Sequence, residues 1–143
     1  MNVMQLFKWT KAHAVFLPEV DAEHRNLFRL AEELHQAVES GAETARLGDA
    51  MQSLLAAVEE HFAHEERLMK AARCESYEWH KQQHDTARKK AKQAFKAFTA
   101  GDAAAPGELL TFLAHWLREH MGLTDRMMGA EVRNSGRLAA KAS

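Results

Sequence analysis

A single cysteine, Cys74, is all the thiol chemistry in the 143-residue chain. One thiol forms no internal disulfide, so an oxidising compartment is neither needed nor indicated, and thiolate iron–sulfur or Cys-based zinc sites are excluded. Chain breakers are scarce, with 2 Pro and 7 Gly among residues dominated by the strong helix formers Ala, Glu, Leu, Lys and Arg. Long apolar runs are missing as well. The longest near the start, Ala14-Val15-Phe16-Leu17, runs into Pro18-Glu19 and is too short for a signal h-region; nothing approaches the roughly 18 apolar residues of a membrane span. The reading is a cytoplasmic chain with no membrane partner. An excess of charge is absent too: 19 Lys+Arg against 20 Asp+Glu leaves −1, which argues against a nucleic-acid partner and against a polybasic anchor.

What is present reads as helices. Leu27, Leu30, Ala31, Leu34 and Val38 recur at threes and fours after Asp21, a candidate N-cap, until Ser40-Gly41. A second stripe from about Thr44 carries Leu47, Met51, Leu54, Leu55, Val58, Phe62, Leu68 and Met69. Ser76 is placed to cap a third, mostly polar helix to about Thr99, with Ala87, Ala91, Phe95 and Phe98 inward. Pro106 opens a fourth, carrying Leu109, Leu110, Leu113, Trp116, Leu117 and Leu123. The fold expected is all-α, an up-down-up-down four-helix bundle with an N-terminal arm and a short C-terminal tail. Residues 1–20 form the arm, packing Phe7, Trp9 and Phe16 on the body; 21–130 are the bundle; 131–143 lose the pattern and read as a frayed tail.

The composition departs from the background in one respect: 9 His against 1 Tyr. His61 and Glu65 are four apart on the second helix, and His80 and His84 four apart on the third, so each pair shares a helix face. His24 lies one turn before Phe28, and His120 one turn after Trp116. Each helix thus offers a histidine to a common core. Buried, unpaired imidazoles are costly to desolvate; metal ligation would satisfy them. Five imidazoles with Glu65 and a possible Asp125 exceed one tetrahedral zinc site and do not suit all-oxygen calcium or magnesium sites. Two first-row ions sharing bridging carboxylates fit the count. Asp125 is the exception to the spacing, because five residues after His120 in an ideal helix is a rotation of about 140°. The two converge only if the helix widens locally, as in a π-bulge.

Asp21-Ala22-Glu23-His24, His61-Phe62-Ala63-His64-Glu65, His80-Lys81-Gln82-Gln83-His84 and Trp116-Leu117-Arg118-Glu119-His120 followed by Asp125 together resemble the hemerythrin family, in particular its bacterial single-domain members. The resemblance runs from about Trp9 to Gly129 and implies a non-haem di-iron centre in a four-helix bundle. By the family's pattern His80, His84 and His120 would hold one iron, and His24 and His61 the other. Glu65, Asp125 and an oxo or hydroxo bridge would join them. The second iron is then left with one open position, where dioxygen would bind reversibly for storage, delivery or sensing. Phe62, Leu117 and Met121 match the family's pocket lining, with Trp116 a further candidate; an apolar wall there would exclude water.

Two alternatives stand beside this one: a di-iron oxidase or peroxidase using the same open iron, and a metal-handling bundle, with zinc a competitor for imidazole sites. No catalytic group beyond the ligands is indicated, and no protein partner. Of the other histidines, His64 is expected at the surface or behind a ligand rather than in the site itself, His35 too far along the axis to ligate, and His115 and His13 in solvent. Glu66 is expected to face solvent, and Cys74 to be incidental.

Overall fold

The computed structural model describes residues 6–142, with side chains through 136; the first five residues of the expected arm and Ser143 lie outside them. Four rods form the bundle. α1 (Pro18–Glu39), α2 (Thr44–Ala71) and α3 (Tyr77–Thr99) are uninterrupted, and the fourth rod is composite. It begins as α4 (Ala105–Glu119), passes through a five-residue π-helical turn (His120–Thr124) and continues as α5 (Asp125–Ala142). There is no strand among the described residues. The links are tight because residues in the left-handed region close the helices: Gly41 (φ 69°) after α1, Gly101 (φ 106°) after α3, and the non-glycine Arg73 (φ 55°) after α2.

The core is one apolar column along the bundle axis. Leu27, Ala31 and Leu34 of α1 meet Met51, Leu54 and Val58 of α2, Ala87 of α3, and Leu109, Leu110 and Leu113 of α4. A smaller cluster of Val15, Val20, Met69 and Met128 closes the opposite end. The polar centre described below lies in the bundle interior as well, so it is held by rods that both clusters fix.

Several expectations are revised. Helix α1 starts at Pro18, three residues before Asp21. Asp21 is not its N-cap; its buried carboxylate accepts from the backbone N–H of Val15 (2.8 Å) and Phe16 (3.2 Å) and so ties the arm to the helix. Phe7 is buried in the main core and Trp9 packs partly against it. Phe16 is 69% exposed, with Arg133 stacked over its ring. Ser76 stands at the N-cap of α3 as expected, but its hydroxyl makes no cap hydrogen bond and donates instead to Glu131 at 2.6 Å. Helix α5 runs on to Ala142 where a frayed tail was expected, and its first turns have partners: Val132 packs on the smaller cluster, and Arg133 donates to the Val15 carbonyl. Leu123, expected on the apolar stripe, is 60% exposed because the π turn shifts the register of everything after His120.

Candidate metal centre

Each rod delivers its polar residues to one level of the bundle. α1 supplies His24, α2 His61 and Glu65, α3 His80 and His84, and the fourth rod His120 and Asp125. All seven are buried, none more than 3% exposed. The i,i+4 spacing accounts for the pairs on α2 and α3. The π turn accounts for the fourth rod. Its closing bond runs from the Asp125 amide to the His120 carbonyl, five residues back, so one extra residue is taken up and Asp125 returns to the face of His120.

The two carboxylates divide the imidazoles into two sets. Glu65 Oε2 lies 3.2 Å from the Nε2 atoms of both His24 and His61. Its other oxygen, Oε1, lies 3.4 Å from His80 Nε2 and 3.0 Å from His84 Nε2. Asp125 repeats the division, with Oδ2 at 3.2 Å from His24 Nε2, and Oδ1 at 3.1 Å from His80 Nε2 and 3.0 Å from His120 Nε2. One oxygen of each carboxylate therefore faces the His24 side, and the other faces the His80, His84 and His120 side. Two groups result in which the candidate ligand atoms all lie within 4.8 Å of one another: Glu65, His80, His84, His120 and Asp125, and His24, His61 and Glu65.

His24 Nε2 and His84 Nε2 pair with Glu65 as hydrogen bonds at 3.2 and 3.0 Å, but the approaches to Asp125 are not hydrogen bonds. The Nε2 atoms of His80 and His120 and both Asp125 oxygens are buried without a hydrogen-bond partner, although nitrogen and oxygen stand about 3 Å apart. The candidate ligand atoms nevertheless lie close enough together, all within 4.8 Å, to share one ion. Leaving such atoms buried and unpaired is costly, and imidazole nitrogens with carboxylate oxygens are the donor set of first-row transition ions. The residues present fit a pair of such ions.

Without metal, protons take that role. Burial opposes charge on His24, yet the carboxylates of Asp125 and Glu65 outweigh it and lift its pKa to about 10. His61 and His80 are raised to about 9 against the same burial, the first by Glu65 and Glu23, the second by Asp125 and Glu65. Asp125 and Glu65, though buried, are held well below the carboxylate range by the imidazoles around them. His120 is lowered, since burial outweighs its carboxylate neighbour.

A second layer orients the rings through Nδ1. Glu23 Oε1 takes His61 Nδ1 at 2.8 Å, and the same carboxylate takes His64 Nδ1 at 2.8 Å. Glu66 Oε2 takes His84 Nδ1 at 2.8 Å and is itself held by Arg88 at 2.8 Å. Gln83 Oε1 takes His120 Nδ1 at 2.8 Å. Glu66 is thus not a solvent residue but the partner of a site imidazole, and His64 belongs to the fringe through Glu23. Glu23, Glu66, Gln83, Thr124 and Arg88 escape a reading by helical stripe because they sit beside the inward face. The only sequence cue is adjacency, with Glu23, Glu66 and Gln83 each next to a site residue.

Aromatic rings cover one flank. Phe62 stacks on His84 with centroids 4.0 Å apart and planes at 9°. Trp116 lies 5.5 Å from Phe62 and stacks on His120. Leu117 and Met121 are buried in the same cluster as Phe62. The remaining histidines are elsewhere. His115 is exposed beside Glu119 at 3.2 Å, and neither it nor His35 enters the groups above. His13, expected in solvent, is half-buried with its ring 5.1 Å from that of Phe28. Cys74 is half-buried, and burial with the Glu131 carboxylate nearby pushes its thiol up to about 11, which makes it a poor nucleophile.

Residues 15–132 match the sequence profile of the hemerythrin HHE cation binding domain. The chain belongs to the hemerythrin family. Family members are di-iron, oxygen-binding proteins. Among hemerythrin relatives, the bacteriohemerythrin of Stenotrophomonas maltophilia is 27% identical over 130 residues, 91% of this chain and 84% of that protein. The bacteriohemerythrin of Methylococcus capsulatus is 27% identical over 127 residues, 88% of this chain and 96% of that one. The myohemerythrin of Theromyzon tessulatum is 24% identical over 124 residues, covering 87% and 92%. A crystal structure of a hemerythrin point mutant superimposes with a TM-score of 0.84 at 25% identity, over 90% of this chain and 98% of the other. The hemerythrin bundle and the buried His/Glu/Asp cluster go together here, as a helical metal-binding domain.

Proposed function

We propose that the chain binds dioxygen reversibly at a non-haem di-iron centre, in oxygen storage, delivery or sensing within the cytoplasm. The observation that carries this reading is the division of Glu65 and Asp125, each with one oxygen toward His24 and the other toward His80. In it, His80, His84 and His120 would hold one iron, His24 and His61 would hold the second, and Glu65 and Asp125 would be shared by both. When bound, the iron pair supplies the two electrons and the open position that dioxygen needs.

The chain's residues do the rest. With three imidazoles against two, the ion held by His24 and His61 would be the less fully ligated one and would offer the open position. Phe62, Leu117, Met121 and Trp116 are assigned to the apolar wall that keeps water and protons out and so slows irreversible oxidation. Glu23, Glu66 and Gln83 hold the ring orientations, so that little rearrangement accompanies loading or release.

The test is optical. Iron-quantified protein with about two irons per chain, reduced and then exposed to air, gains charge-transfer bands that vanish on deoxygenation. Irreversible loss of the reduced form on first exposure overturns the reading.

One feature favours a second reading, a peroxidase or oxidase at the same iron. Glu23 links His61 to His64, and His64 Nε2 lies 3.8 Å from the exposed Glu19, a polar chain from surface to site of the kind proton delivery uses. Steady turnover of peroxide with a reductant, lost in His64→Phe, would establish it.

A further inference from the structure

Gln83 makes two contacts through one atom. Its Oε1 lies 2.8 Å from His120 Nδ1 and 2.9 Å from the Thr124 hydroxyl. His120 and Thr124 are the first and last residues of the π turn. One side-chain oxygen on α3 therefore clasps both ends of the only irregular turn in the described part of the fourth rod. Thr124 is itself buried, 3% exposed, so its hydroxyl requires a partner.

The protonation pattern of His120 follows from the contact. Its Nε2 sits 3.0 Å from Asp125 Oδ1 with no hydrogen bond between them, and on the reading above that nitrogen is bare for iron. The ring proton then belongs on Nδ1, where an oxygen must receive it. Thr124 donates to the same oxygen. A second ligating imidazole, His84, gives its Nδ1 to a carboxylate, Glu66, and His61 does likewise with Glu23. His120 alone among these three has a neutral acceptor.

We infer that Gln83 is a positioning residue. Its amide oxygen keeps the His120 proton on Nδ1 and pins Thr124, so that the π turn presents His120 Nε2 and Asp125 to the same ion. Its neutrality also sets the electronics, because a neutral acceptor polarises the Nδ1–H bond less than the carboxylates behind His61 and His84. His120 is accordingly the least electron-donating imidazole of the three, which biases its iron toward the reduced state. This inference rests on the di-iron reading.

The experiment compares wild type, Gln83→Glu and Gln83→Leu. Zinc serves first, as a diamagnetic probe. In zinc-loaded wild type the His120 Nδ1–H proton is expected as a slowly exchanging, downfield resonance. Gln83→Glu keeps it and moves it further downfield. Gln83→Leu loses its protection, and zinc affinity falls about 10–100-fold, the range for removing an outer partner of a metal-bound imidazole. In the iron-loaded proteins the reduction potential moves in opposite directions, lower than wild type for Gln83→Glu and higher for Gln83→Leu.

A merely packing role predicts that both variants shift these quantities the same way, and that result overturns the inference. So does an unchanged zinc affinity and Nδ1–H protection in Gln83→Leu. If Gln83→Leu fails to fold, the sign of the Gln83→Glu potential shift decides alone, and a rise or no change sinks the idea. Failure of wild type to take up two metal ions would instead defeat the di-iron reading itself.

Discussion

The indole of Trp116 lies flat on the imidazole of His120, with ring centroids 4.2 Å apart and planes 13° from parallel. Trp116 is half-buried while His120 is 3% exposed, so the larger ring shields the smaller from solvent. Stacking of this kind adds specific geometry to apolar burial.

Trp116→Ala is expected to destabilise the protein by about 1–3 kcal/mol, less than a fully buried aromatic truncation because the ring is only half-buried. The reduced, iron-loaded protein should also lose its oxygen response several-fold faster on standing in air. Trp116→Phe keeps a ring over His120 and should fall between. Thermal melts and repeated oxygenation cycles measure both effects; wild-type lifetime in Trp116→Ala would remove the tryptophan from the protective wall.

Glu65 faces four imidazoles through its two oxygens. Glu65→Ala leaves raised, partly protonated histidines without their counter-charge, a loss of about 3–5 kcal/mol for breaking a buried pair. Iron should fall well below two per chain, with stability falling further in the loaded form because metal binding and folding are coupled. The exposed His115→Ala is the control and should change neither. Elemental analysis and denaturant titration read the outcome, and full occupancy in Glu65→Ala would refute the bridging assignment.

The metal-free protein should have a stability window set by the same cluster. His24, His61 and His80 are raised in the folded state, so their contribution is complete below the unfolded value of about 6.5 and is lost as pH rises through about 9 to 10. Glu65 and Asp125 are depressed, so theirs is present above about pH 4 and is lost as pH falls below it. Denaturation of the metal-free chain should therefore be hardest near pH 5–6. Metal uptake at neutral pH should release protons, visible as a buffer-dependent heat, since His24, His61 and His80 must give theirs up. A metal-free stability that climbs steadily to pH 10 would contradict the charge pattern.

Gly129 marks where the arm touches the fourth rod. A Cβ there would stand 2.5 Å from the Val15 carbonyl oxygen and 3.1 Å from the Val15 Cβ. That carbonyl accepts from Arg133, and the Val15 amide is tied to Asp21, so it has no free direction in which to retreat. Gly129→Ala should cost about 1–3 kcal/mol by overpacking, with iron content per folded chain unchanged. A melt indistinguishable from wild type would mean that the arm yields.

Much of this centre is visible in the order of residues. His61/Glu65 and His80/His84 stand at i,i+4, so any α-helix through them puts each pair on one face. The apolar stripes place those faces inward, and the hemerythrin-like motifs add His24, His120 and Asp125. The misreadings share a physical cause. Leu123 depends on a π turn whose extra residue alters the register; the only local cue to that turn is Asp125 standing five residues after His120. Glu66 and Gln83 lie off the stripe and look solvated until a neighbouring helix brings an imidazole to them. The region after Gly129 lacks an apolar period yet continues as helix, because Ser76, Val15 and the smaller cluster meet it from other rods.

Composition and spacing alone determine four amphipathic helices, a histidine excess directed inward, and ligand pairs matched to helical turns, because these follow from backbone period and burial cost. The tertiary structure decides how the two carboxylates divide five imidazoles into two groups, which side chains meet Nδ1 of His61, His84 and His120, and where the fourth rod takes up its extra residue. Those relations hold between atoms far apart in the chain, and only the packing of the rods sets the distances between them.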